Sequence, residues 1–98
     1  MRITKHEHAC LRVEVDGQTL IIDPGGFTLP LEDLQGLAAV VLTHEHADHW
    51  TPEHLARLRR HTPGVPVYAP EGVASAGADV IVVKPGDTVT AGPFTMSF

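Results

Sequence analysis

Leu11, Val13 and Val15 alternate with Arg12, Glu14 and Asp16, a period of two that predicts a half-buried strand. Asp16-Gly17 supplies a two-residue hairpin turn, and Thr19-Leu20-Ile21-Ile22-Asp23 predicts an antiparallel neighbour stopped by Pro24-Gly25-Gly26. Residues 24–36 follow no clear period and read as a loop with one helical turn. Ala38-Ala39-Val40-Val41-Leu42 is apolar throughout, as expected of a strand covered on both faces. A polar segment follows, and then Thr51 as N-cap and Pro52 at the first helical position predict a helix over 52–61. Leu55 and Leu58 share one face of that helix. Arg57, Arg59, Arg60 and His61 crowd its C-terminal end, where the helix dipole favours positive charge, so they need no ligand to explain them.

Downstream, the pattern predicts a short strand over 65–69, a short helix over 71–76 closed by Gly77, and a buried strand over 80–83. Lys84-Pro85-Gly86-Asp87 turns into Thr88-Val89-Thr90. In the last segment Phe94, Met96 and Phe98 alternate with Thr95 and Ser97, an amphipathic strand that ends on a bulky apolar residue.

Ninety-eight residues, 43% apolar and 19% charged, make one globular domain, residues 1–98. A net charge of -5 leaves no basic excess to neutralise a phosphate backbone, so no nucleic-acid partner is expected. Cys10 is the single cysteine, which excludes an intrachain disulfide and fits a reducing compartment. The first ten residues are polar and unlike a secretory leader, and the longest apolar run, Leu37 to Leu42, is too short to span a bilayer. The expectation is a cytoplasmic protein with no membrane partner.

The chemistry concentrates in Thr43-His44-Glu45-His46-Ala47-Asp48-His49. In an extended segment residues two apart point the same way, so His44 and His46 can grip one ion while Glu45 points away. Asp48 and His49 come as the chain turns toward the helix and can reach a second ion. Imidazole nitrogens with a carboxylate suit zinc, and also manganese or iron. A ligand set at the C-terminal end of a buried strand, before a helix, sits where α/β folds place their sites. A solvated loop that happens to be histidine-rich is the plainer explanation, and this spacing after a buried strand disfavours it. Outside the motif, Asp23 is open to three readings: a metal ligand in principle, or, as a structural carboxylate, an acceptor for the Gly25–Gly26 turn or a group that orients a motif histidine. Cys10 reads as a small buried apolar residue, Trp50 as packing beside the motif, and His54 and His61 as solvent-facing.

Residues 43–49 match the His-x-His-x-Asp-His signature, and the chain resembles the metallo-β-lactamase superfamily, in particular its lactonase-like branch. Leu20 to Gly25 resembles the family's early strand ending in a structural aspartate, and Pro85-Gly86-Asp87 with Phe94-Thr95 looks like its mid-domain hairpin. The resemblance covers nearly the whole chain but only the N-terminal half of the family's domain. It implies His44 and His46 as ligands of a first metal and Asp48 and His49 as ligands of a second. It further implies a metal-activated hydroxide attacking an ester, lactone or phosphoester of a small molecule, with Asp48 as the catalytic residue that orients it. His8 matches a histidine near the active site of the lactonase-like branch, whereas Glu7 stands where that branch has glycine; His8 is left open between lining the site and lying on the surface. The family's remaining ligands, a histidine, a bridging aspartate and a last histidine, have no counterpart after His61.

The expected fold is therefore α/β, one βα half of an αββα sandwich, a mostly antiparallel sheet with helices on one face. Its open sheet face implies a homodimer in which a second copy completes the sandwich. Three functions remain open: a metal-dependent hydrolase, a metal-binding but catalytically inactive half-domain that self-associates, and an interaction module with a vestigial motif.

Overall fold

The computed structural model describes residues 1–98. Six strands form one sheet in chain order: β1 (Arg2–Lys5), β2 (Leu11–Val15), β3 (Gln18–Ile22), β4 (Leu37–Val41), β5 (Val67–Ala69) and β6 (Ile81–Val82). Helix α1 (Pro52–His61) crosses from β4 to β5, and α2 (Glu71–Ser75) from β5 to β6. A separate antiparallel pair, β7 (Thr88–Ala91) and β8 (Phe94–Ser97), follows.

The sheet has two parts. β1, β2 and β3 are an antiparallel meander. β3 to β6 pair in parallel, joined by the crossovers that parallel pairing demands. The β2–β3 connection is the expected two-residue turn, with Val15 opposite Gln18. Asp16 and Gly17 both adopt positive φ, 51° and 75°, as a type I′ turn requires.

Alternation along β3 and β4 sorts their side chains to two faces. Ile21 and Val40 pack with Leu55 and Leu58 of α1 and Val73 of α2 in the main core. Leu20, Ala39 and Val41 point the other way and meet Phe94 of β8. The helices thus lie on one face, as expected of the α/β half-sandwich, and the opposite face carries the β7–β8 hairpin. Around that hairpin Val13, Val15, Ile22 and Tyr68 are half-buried.

Helix α1 starts where the sequence places it. The Thr51 hydroxyl accepts from the His54 N–H at 3.1 Å, and Pro52 opens the first turn. Three details differ from expectation. β1 is a strand that the polar N-terminus does not announce, paired through Ile3 opposite Val13. Residues 24–36 contain no helical turn; they are tied to the core through buried Leu31 and Leu34 instead. β6 is not buried, since Ile81 and Val82 are 50% and 44% exposed, because it is a two-residue edge strand with no neighbour beyond it. No helix is long and apolar enough to cross a membrane.

Candidate metal centre

The centre of the site is a buried carboxylate. Asp23 follows β3 with φ at +53°, a left-handed turn that aspartate tolerates better than most residues, and only 4% of it is exposed. Its backbone N–H donates to the Val41 carbonyl at 2.9 Å, which ties the end of β3 to the end of β4. Its Oδ1 accepts the Thr43 N–H at 2.7 Å, and its Oδ2 accepts the Thr43 hydroxyl at 2.5 Å. The same Oδ2 lies 3.0 Å from His49 Nδ1, which donates to it.

This network sets two tautomers. The Thr43 hydroxyl has a single proton and gives it to Asp23, so its oxygen accepts from His44 Nδ1 at 2.9 Å. His44 and His49 therefore both carry their proton on Nδ1, and both keep the Nε2 lone pair for an outside partner. Their rings lie 4.4 Å apart, centroid to centroid. One buried aspartate prepares both, one directly and one through a threonine.

Small residues hold the motif's backbone in place. Gly26 N–H donates to the Ala47 carbonyl at 2.7 Å, and His49 N–H closes a turn onto the His46 carbonyl at 3.0 Å. A Cβ built on Gly25 would overlap the Asp48 carbonyl, so that position requires glycine by close approach. On the other flank, buried Trp50 donates its indole N–H to the Glu45 carbonyl at 2.8 Å, and the Glu45 side chain lies against Gly72 of α2. Glu45 thus turns away from the histidines, as its spacing predicts.

Asp48 is steadied from the β1–β2 loop. His8, held in left-handed backbone at φ +58°, brings Nε2 to 3.0 Å from Asp48 Oδ2. The hydrogen bond from His8 holds the Asp48 carboxyl below the usual carboxylate range, with nearby His49 adding in the same direction. His8 thus lies at the motif. Cys10, at the far end of that loop, is fully buried; burial pushes its thiol up to about 11, and the negative charge of Asp23 adds to the effect.

The donors can be tested against the geometry of a metal. Asp48 Oδ2 and His49 Nε2 stand 3.5 Å apart. Two ligands at about 2.0–2.1 Å on a tetrahedral ion are separated by roughly 3.3 Å, so the spacing of this pair is compatible with one cation. His44 Nε2 is free beside them. His46 is exposed and makes no side-chain hydrogen bond, and no group of three or more His, Cys, Asp and Glu side chains is arranged to hold a metal. The structure sets the rings of His44 and His49 4.4 Å apart, with Asp48 beside His49, His8 on Asp48 and Asp23 on His49.

With the geometry established, the chain's relationships can be read. Residues 2–97 match the family described as the beta-lactamase superfamily domain. The chain belongs to the metallo-β-lactamase-fold superfamily. It is 33% identical over 97 residues to Protein Rv0786c of Mycobacterium tuberculosis, covering 98% of this chain and 46% of that protein. It is 44% identical over 75 residues to the hydroxyacylglutathione hydrolase of Yersinia pestis (strain Pestoides F), covering 72% of this chain and 29% of that enzyme. A Parabacteroides distasonis structure described as a metal-dependent hydrolase superposes with a TM-score of 0.69 and 25% identity, over 89% of this chain and 39% of the other. Igni18, a metallo hydrolase of Ignicoccus hospitalis, superposes at 0.63 with 23% identity, over 90% and 41%, a likeness of fold alone. The chain spans less than half the length of these relatives.

For a metallo-β-lactamase-fold chain, the residues the sequence under-reads are instructive. His54 is not solvent-facing: it is half-buried, with Nε2 2.9 Å from the Thr28 carbonyl, because residues 24–36 fold back over α1. Gly25, Gly26 and Gly72 act on the motif through space. The Gly-Gly pair is visible in the sequence as a turn, but its contact with residues 47–49 is not.

Proposed function

We propose that this chain carries the metal-binding half of a metal-dependent hydrolase, with His44 and His46 serving a first ion and Asp48 and His49 a second. Zinc suits this donor set best, with manganese or iron as alternatives. The observation that supports the reading is the Asp23 network, which leaves Nε2 bare on both His44 and His49 and sets the Asp48–His49 pair at ligand spacing. A bound ion at such a site would supply Lewis-acid chemistry toward an ester, lactone or phosphoester, acidifying water and stabilising negative charge. The chain's own residues do the positioning. Asp48, held by His8, orients the attacking water; Asp23 and Thr43 fix the imidazoles, so that little reorganisation accompanies the reaction.

A second reading is a metal-binding but catalytically inactive half-domain that self-associates. Two observations favour it: no three candidate ligands converge within one copy, and the chain covers under half of its relatives. Both readings share a homodimer in which a second copy covers the half-buried residues around the β7–β8 hairpin. Elemental analysis paired with light scattering on one sample tests them. Near-stoichiometric metal on a dimer, with ester hydrolysis lost in Asp48→Ala while metal is retained, supports the hydrolase. Metal on a dimer without hydrolysis supports the silent half-domain. A metal-free protein would sink both, and a monomer at micromolar concentration would sink the dimer.

A further inference from the structure

The helix-bearing face of the sheet becomes polar at its antiparallel edge. Arg12 lies opposite Ile21, which packs beneath α1, so Arg12 and its β1 partner Thr4 point to that face, as does the Arg2–Glu14 pair one step along. With His6 they line a cleft of about 890 Å³, closed on its far side by the 29–35 loop and Arg57 of α1. The helix dipole accounts for the basic last turn of α1, Arg59 to His61, but not for Arg57, which stands before it. Arg12 is fixed while its charge is not balanced. Its Nη2 donates to the Glu32 carbonyl at 2.6 Å and its Nη1 to the Asp33 carbonyl at 3.4 Å, both neutral acceptors. Arg12 Nε and His6 Nε2 are shielded from water and have no partner at all, a costly and uncommon state for polar atoms. Arg2, Arg12 and Arg57 also lack a carboxylate partner, although Glu14, Glu32 and Asp33 line the same cleft; every ion pair in the chain joins a histidine to an aspartate. Glu7, the fourth acid there, already accepts the Leu29 N–H at 3.1 Å.

We propose that this cleft binds a zwitterion the size of a dipeptide, its carboxylate on Arg12 and its ammonium on Glu14. The site is separate from the motif and independent of the metal reading. Its volume is that of a small-molecule site, about 300–1,000 Å³, but such sites are mostly apolar and this one is lined by opposite charges. A ligand with charge at both ends suits it. A plain anion does not, because the cleft holds four acids against three arginines and so offers it no net positive field. Spacing decides the length. Arg12 and Glu14 are two residues apart on one face of β2, about 6.8 Å along the strand. An extended dipeptide spans about 7 Å, whereas a single amino acid spans about half of that. Arg57 and His6 add positive charge and donors beside Arg12.

The test titrates the full chain with alanyl-alanine, its N-acetylated form, its C-terminal amide and free alanine, following the backbone amides of Thr4, Arg12 and Glu14 by NMR. Saturable shifts are expected with the dipeptide. Each blocked form should bind at least about tenfold more weakly, the usual result of losing a hydrogen bond to a charged group. Glu14→Gln should erase the preference for a free ammonium, and Arg12→Gln the preference for a free carboxylate. Arg12 also ties down the 29–35 loop, so Arg57→Gln repeats the second comparison at a side chain that is exposed and makes no hydrogen bond in the fold. There the loss should be smaller, about two- to fivefold, as for an exposed ion pair. The absence of saturable shifts with alanyl-alanine overturns the proposal. Equal affinity for the dipeptide and its N-acetylated form, for the dipeptide and alanine, or for the dipeptide in Glu14→Gln and the parent does the same. So does a shift of these amides with protein concentration alone, which assigns the cleft to a contact between copies.

Discussion

Within seven residues the motif contains two regions built to different standards. Residues 48 and 49, together with His44, are braced by Asp23, Thr43 and His8, with Gly25 and Gly26 against the backbone. His46 is exposed, and its ring makes no hydrogen bond. The braced imidazoles have tautomers and ring planes set by the fold, whereas the proposed ligand His46 would have to be ordered on binding an ion. Sequence spacing treats His44 and His46 as a matched pair; the structure in addition sets the His44 ring 4.4 Å from that of His49. The cause is a carboxylate twenty residues upstream of Thr43, at the end of a neighbouring parallel strand.

The largest expected effect comes from removing the brace. Asp23→Ala leaves the Thr43 N–H and the His49 Nδ1–H without their acceptor. Denaturant unfolding should show a loss of about 2–4 kcal/mol. Zinc affinity should fall about 10–100-fold, the usual consequence of losing a group that orients a ligand. Unchanged stability would mean that the two regions do not differ as described.

A finer test compares His49→Ala with His46→Ala in a competitive zinc titration. Ordering one free side chain costs about 0.5–1.5 kcal/mol, so the pre-set ligand should be worth roughly two- to tenfold more than the loose one. Equal losses would show that His46 is as well prepared as His49, and the contrast would disappear.

The smallest effect at neutral pH concerns Cys10, which feels the charge of Asp23 from the braced side. With its thiol pushed up to about 11 from 9.0, the folded protein should react with iodoacetamide at pH 8 about a hundredfold more slowly than the unfolded chain. Because the folded value is raised, Cys10 contributes stability fully below the unfolded value of 9.0, and that contribution is lost as pH rises toward about 11. A denaturation midpoint that stays constant across that window would contradict the burial argument. In Asp23→Ala the thiol should alkylate faster than in the parent, which links this measurement to the first.

What the sequence reveals and what it hides divide along a physical line. Local patterns carried through: the Asp16-Gly17 turn, the Thr51-Pro52 start of α1 and the apolar run of β4 each depend on residues adjacent in the chain. Asp23 as a structural carboxylate was legible because it ends a strand, but its partners, Thr43 and His49 rather than the Gly25–Gly26 turn, were not; Trp50 was legible because it directly follows the motif. Contacts across long sequence distances were not. His8 on Asp48 and Gly72 against Glu45 are fixed by tertiary packing that no spacing rule encodes. β1 was hidden for a related reason: an edge strand with one polar, solvated side does not need the apolar alternation by which strands are recognised.

The type I′ turn at Asp16-Gly17 has a bearing on how the molecule comes to exist. It lets β2 and β3 zip together on the microsecond scale typical of hairpins, whereas β3 can meet β4 only after a fourteen-residue connection has closed. The hairpin therefore waits, with the Ile22 end of β3 formed but Asp23 still lacking Val41 and Thr43, until the parallel ladder arrives. The Asp23 network can thus form only once the parallel ladder is in place, and it comes apart when β3 and β4 separate.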